Sequence, residues 1–225
     1  MNDFDWKPHV YRFSLLALVV IQLTSLAVAD DSVAVSELRF EPIDVKRSRT
    51  VPVKVYLGKS RTPQPVVLFS HGLGGSRENN EYLGRHWAAA GYVAVFMQHA
   101  GSDNEVIQGA SLREKLATLK AAVSSIASRD RFNDVPFVID QLELWNQQVG
   151  HELQGKLNVE KLGMSGHSYG AATTLAVTGQ KFPLRVSFHD SRIDAFLAMS
   201  PQPGKGLKPA EAFGHITTPF LCLTG

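Results

Sequence analysis

Val66-Val67-Leu68-Phe69 is a short, unbroken apolar run that stops abruptly at Ser70-His71-Gly72-Leu73-Gly74-Gly75. A run of this length bounded by glycine suits a strand buried on both faces, as strands of a parallel sheet are. The pattern recurs along the chain. A helix-like stretch over 80–90 stops at Gly91, and 92–97 supplies a second buried strand. Further on come a strand at 162–165, a helix from about 169 to 178, and strands at 195–199 and 220–223. Strands alternating with helices predict an α/β fold, a mostly parallel sheet flanked by helical crossovers. Ahead of them, 33–40 and 50–57 are rich in β-formers, and Val51, Val53 and Val55 alternate with other residues. These two segments are predicted to be the opening antiparallel strands.

Two helices are predicted between the second and third buried strands. Ser111 and Glu114 form a capping box, and Leu112, Leu116, Leu119, Val123 and Ile126 follow as one apolar stripe. Asp134 is placed to cap the second helix, with Pro136 in its first turn and Val135, Val138, Leu142 and Trp145 on one face.

The first 29 residues read as an address. Lys7 and Arg12 precede an apolar run over 13–28, and Ala27-Val28-Ala29 offers the small-x-small pattern of signal-peptidase cleavage before Asp30. The expected organisation is a signal peptide over 1–29, cleaved after Ala29 and the product secreted or periplasmic, with an uncleaved membrane anchor as the alternative, and one globular domain over 30–225. Cys222 is the sole cysteine, so no intrachain disulfide can form; within the apolar stretch 219–223 it is expected to be a small buried hydrophobe. The 23 Lys and Arg residues nearly balance 21 Asp and Glu and are scattered, which argues against a nucleic-acid partner.

Gly166-His167-Ser168-Tyr169-Gly170 joins a predicted strand to a predicted helix in a G-x-S-x-G pattern. Such a turn is tight, needs small residues on both sides, and lifts its serine proud of the sheet. Ser168 is therefore the candidate nucleophile. Two backbone N–H groups are candidates to hold the oxyanion of acyl transfer: that of Tyr169, at the helix N-terminus, and that of Leu73, in the glycine-rich loop after a buried strand.

Together with Gly91-Tyr92, Gln98-His99-Ala100-Gly101-Ser102-Asp103 and the 131–134 element, these two motifs make the sequence resemble the α/β-hydrolases. The branch it resembles is the dienelactone-hydrolase-like and platelet-activating-factor-acetylhydrolase-like one, over roughly 51–225. The resemblance implies the α/β-hydrolase fold, hydrolysis of an ester or less often a thioester or amide, and neither metal nor organic cofactor. The substrate class it implies is a small-molecule, lipid or polyester-type ester; oligomeric state is left open.

The family mechanism also needs a histidine base and an orienting acid, in the chain order serine, acid, histidine. Asp190 and Asp194 precede the strand at 195–199 and so fall at the wrong end of the sheet for catalysis. His189 and His215 likewise precede strands. His71 and His99 follow strand ends and are placed to line the pocket as loop-organising partners, and His167, which flanks the nucleophile, is a third candidate to line it. The acid is expected within about ten residues after Gly225 and the histidine later still, which makes the domain C-terminally incomplete. Other readings of the same sequence are a non-catalytic binding protein of this fold, or a peptidase or acyltransferase.

Overall fold

The computed structural model describes residues 34–104, 125–182, 186–202 and 207–224. Strands β1 (Ser36–Phe40), β4 (Val53–Leu57), β5 (Gln64–Ser70), β6 (Val93–Met97), β7 (Leu157–His167), β8 (Ile193–Met199) and β9 (Phe220–Leu223) form one sheet. Its order is β1-β4-β6-β5-β7-β8-β9. The first two pairings, β1 with β4 and β4 with β6, are antiparallel, and every later one is parallel. Short β2 (Ile43–Asp44) and β3 (Arg49–Thr50) pair separately as a ribbon. The helices are α1 (Glu81–Ala89), α2 (Ser125–Gln147), α3 (Tyr169–Val177) and α4 (Pro209–Phe213).

Successive side chains of a strand point to opposite faces, and the apolar runs at β4, β5 and β6 fill both. Val53, Val55, Leu68, Val93, Val95 and Met97 face the layer that contains Val135, Val138, Ile139 and Leu142 of α2. Tyr56, Phe69, Ala94 and Phe96 form a second cluster with Ala88 of α1, and Trp87 packs against it. The central strands β5 and β7 end side by side at Ser70 and Gly166, so the loops that follow them emerge at the same edge.

Two local expectations are corrected. Asp134 does not cap a helix: α2 is one helix from Ser125 to Gln147, with Asp134 and Pro136 inside it. Proline in a helix interior costs about 3 kcal/mol. Four completely buried side chains around it, Val135, Val138, Ile139 and Leu142, each contribute roughly 1.5–3 kcal/mol. Packing therefore outweighs the break. Cys222 is exposed, not buried, because β9 is the edge of the sheet and all four of its residues are open to solvent.

The helix predicted over 111–126 falls outside the described residues except at its last two positions, which belong to α2. The expected signal peptide over 1–29 also lies outside them. Among the described residues no helix is long and apolar enough to cross a membrane.

Candidate active site

Ser168 stands between the last residue of β7 and the first of α3, with φ 54° and ψ −111°. A positive φ at a residue with a side chain stores roughly 1–3 kcal/mol of strain, which the surroundings must hold in place. The two flanking glycines explain how they do so. A Cβ at Gly166 would lie 2.2 Å from the carbonyl oxygen of Gly170, and a Cβ at Gly170 would lie 1.8 Å from that of Ser70. The turn closes because neither position carries a side chain. The Ser168 N–H donates to Met199 O at 2.9 Å, which ties the turn to the end of β8.

The loop after β5 runs alongside this turn. A Cβ at Gly72 would lie 3.5 Å from His167 O and 3.7 Å from Ser168 Cβ. Next to Leu73, Gly74 N–H donates to Ser102 O at 2.9 Å and Gly75 N–H to Gly72 O at 3.1 Å, whereas the Leu73 N–H has no acceptor among the described residues. Tyr169 opens α3, where backbone N–H groups lie ahead of the helical ladder. Its hydroxyl shares a 2.8 Å hydrogen bond with Ser128 Oγ.

Behind the loop lies a buried polar network: the sequence marks His71 and His99 as loop-organising partners, but not the Arg131 and Asp134 side chains that join them, and both histidines are buried. His99 Nδ1–H donates to Asp134 Oδ2 at 2.9 Å, and His99 Nε2 is 3.0 Å from Ser70 Oγ. Arg131 donates to Ser70 Oγ, Ser102 Oγ and Thr173 Oγ1, each at 2.8 Å, and to His71 O. Its guanidinium sits 4.6 Å from the centre of the Tyr169 ring. His71 Nδ1–H donates to Gly72 O at 2.6 Å, and His71 Nε2 accepts the His99 N–H at 3.1 Å. Asp134 also pairs with Arg47 and Arg49, both at 2.8 Å.

These bonds fix protonation. With Nδ1 donating and Nε2 accepting, His71 is neutral; burial, then the Arg131 charge, pushes its pKa down to about 2. His99 is lowered for the same two reasons. Burial alone would raise the Asp134 carboxyl, but bonds from His99 and Arg49 hold it below the ordinary carboxylate range. Burial lowers Arg131 to about 9, so the guanidinium remains charged at neutral pH.

A family model for platelet-activating factor acetylhydrolase, isoform II, matches residues 48–150, a stretch that holds Ser70, His71, His99, Ser102, Arg131 and Asp134 of the buried network and ends before Ser168. No curated protein matches this sequence. Among solved structures, a ferulic acid esterase from Streptomyces cinnamoneus is similar at a TM-score of 0.56 and 19% identity, over 89% of this chain and 67% of that one. A protein from Klebsiella pneumoniae subsp. pneumoniae MGH 78578, assigned as a dienelactone hydrolase, is similar at 0.55 and 15% identity, over 84% of this chain and 72% of that one. The fold is that of the α/β-hydrolases.

Within this α/β-hydrolase fold the remaining polar candidates lie apart from Ser168. His189 Nδ1 is 3.3 Å from Val177 O and His215 Nε2 is 2.9 Å from Gly179 O, both at the far end of α3. Asp190 pairs with Arg192 at 2.7 Å, and Asp194 accepts the Leu162 N–H at 2.9 Å beside the start of the parallel pairing of β7 with β8. His167 is exposed. Among the described residues no histidine hydrogen-bonds Ser168 Oγ, and no group of three or more metal-ligating side chains is assembled. A concavity of about 1110 Å³ lies over the sheet at Val67, Ser165, Leu197 and Leu221, and one of about 490 Å³ lies between Leu175, Phe213 and Cys222. Neither is lined by Ser168.

Proposed function

We propose that this protein is an exported serine hydrolase that cleaves carboxylic esters through an acyl-enzyme on Ser168. The observation that carries the reading is the Ser168 turn itself, a strained serine held between two glycines that admit no side chain. Such strain is costly to maintain without use, and it presents a hydroxyl at the edge where parallel strands end.

In the proposed reaction Ser168 Oγ attacks the ester carbonyl carbon while its proton passes to an imidazole. The carbonyl oxygen becomes an oxyanion, held by the N–H groups of Leu73 and Tyr169. Collapse expels the alcohol, which takes the proton back, and water then releases the acid by the same route. None of the described histidines is assigned as the imidazole, because each is engaged elsewhere or exposed. Export rests on the apolar run and the Ala27-Val28-Ala29 pattern. Ester cleavage is also the activity named for the similar Streptomyces esterase. The substrates proposed are small-molecule, lipid or polyester-type esters.

A panel of p-nitrophenyl esters beside peptide p-nitroanilides tests the reading in wild type and Ser168→Ala. Ester turnover that disappears in the variant supports it. Turnover of anilides alone would favour a peptidase, and no turnover of either would favour a binding protein of this fold.

A further inference from the structure

We propose that Arg131, backed by the buried Ser70–His99–Asp134 chain, is a positioning residue that holds both oxyanion donors against Ser168. The inference rests on the reading of Ser168 as the nucleophile of an ester hydrolase.

Serine, histidine and aspartate are linked in this chain as in a catalytic triad, with distances of 3.0 and 2.9 Å. It is not a second nucleophilic centre. Ser70 and His99 are both completely buried, and Ser70 Oγ already accepts from Arg131, so an acyl group has no approach to it. The Ser70 hydroxyl instead accepts from the guanidinium and donates to the neutral imidazole, whose other nitrogen is oriented by Asp134. The chain fixes the direction in which Ser70 Oγ faces Arg131.

The four acceptors of Arg131 belong to the segments that carry the proposed donors. Ser70 Oγ and His71 O belong to the end of β5 and the first residue of the loop. Ser102 Oγ belongs to the next loop, whose Ser102 O in turn holds Gly74 N–H at 2.9 Å. Thr173 Oγ1 lies on the first turns of α3, and the Tyr169 ring rests on the guanidinium. Leu73 is thus clamped on both sides: His71 is held by Arg131 and by His99 N–H, and Gly74 is held by Ser102. One planar cation links the loop of one donor to the helix of the other.

A side chain that merely filled this volume would not need to be charged. Burying a guanidinium carries a desolvation penalty before its bonds are counted, and apolar replacements of buried ions are often neutral or stabilising. A guanidinium does supply a rigid fork of five donors, which fixes directions that an apolar side chain or a lysine cannot.

The test uses Arg131→Lys, which keeps the charge and loses the fork, and Ser70→Ala, which removes a single oxygen. For each, kcat and KM on a p-nitrophenyl ester are measured per titrated active site, together with thermal unfolding. The affinity for a trifluoromethyl ketone is measured in parallel. Addition of Ser168 Oγ to that ketone forms a C–O bond, passes the hydroxyl proton to the imidazole and leaves the ketone oxygen as an oxyanion. The expected result is a kcat loss of roughly ten- to a hundredfold with KM little changed, matched by an equal loss of ketone affinity. Thr173→Val, which leaves three of the four bonds, should show the same split more weakly and serves if the others do not fold. A lowered melting temperature with unchanged kcat and ketone affinity per active site overturns the positioning role. Ser168→Ala run alongside separates the two claims: an active Ser168→Ala removes the underlying reading, whereas unaltered Arg131 and Ser70 variants beside an inactive Ser168→Ala remove this inference alone.

Discussion

Gly170→Ala adds one methyl group where, among the described glycines, an added Cβ would come closest to a backbone atom. The new Cβ would stand 1.8 Å from Ser70 O, 2.6 Å from Ser70 C and 2.9 Å from His71 O, all backbone atoms that cannot swing aside. An ordinary carbon–oxygen contact is roughly 3.3 Å, so α3 and the end of β5 must separate by about 1.5 Å. Overpacking of this kind costs about 3 kcal/mol or more, of which alanine's better helix propensity returns about 1 kcal/mol. A net loss of about 2 kcal/mol or more is expected in urea unfolding. The same displacement carries Ser168 away from the Leu73 loop, and a misplacement near 1 Å costs on the order of a hundredfold in rate. Gly163→Ala is the internal control. It lies in the same strand as Gly166, and its Cβ would meet Val67 Cγ2 at 3.7 Å and backbone oxygens no closer than 3.8 Å, so stability should change by less than about 1 kcal/mol. Equal urea midpoints and equal ester turnover for the two variants would refute the steric account of the turn.

Leu73→Ala should be mild and Leu73→Pro severe, on the order of a hundredfold or more in kcat, because proline removes the N–H while alanine keeps it; equal tolerance of the two would remove Leu73 from the oxyanion site. Acidification should destabilise the fold below about pH 6.5, where an unfolded histidine protonates while His71, held near 2, and His99, lowered in the same direction, remain neutral. The unfolded state then binds more protons, so stability falls with pH by up to about 1.4 kcal/mol per unit for each histidine, and a urea midpoint unchanged between pH 7 and pH 5 would contradict the neutral assignment. Asp134 adds nothing in that window, since its lowered pKa lets stability go only as pH falls below the ordinary aspartate value near 3.9.

The strands and the serine turn were legible in the sequence because their signals are local. Val66, Leu68 and Phe69 are buried on the two faces of β5, as their apolar run requires, although Val67 is only half-buried, and Gly166 and Gly170 flank a serine at the strand-to-helix junction where a tight turn excludes side chains. Asp134 misled for the same reason. An aspartate two residues before a proline has the local grammar of a helix start, and nothing nearby in the chain shows that its carboxylate is committed to His99, Arg47 and Arg49. Arg131 was hidden in the same way, since its acceptors come from Ser70, His71, Ser102 and Thr173. Cys222 shows the opposite failure. An apolar run marked a strand correctly, but burial depends on what covers the strand, and β9 is a sheet edge.

The central claim is that Ser168 is an activated nucleophile, and the most direct measurement of it is the intact mass and peptide map of the full-length protein after treatment with a fluorophosphonate. Ser168 Oγ would displace fluoride from phosphorus, adding one phosphonyl group per chain. The account predicts a single adduct that maps to Ser168, appears in wild type and is absent from Ser168→Ala. A wild-type protein that folds and gives no adduct, or one whose adduct maps to Ser70 or any other residue, would contradict it.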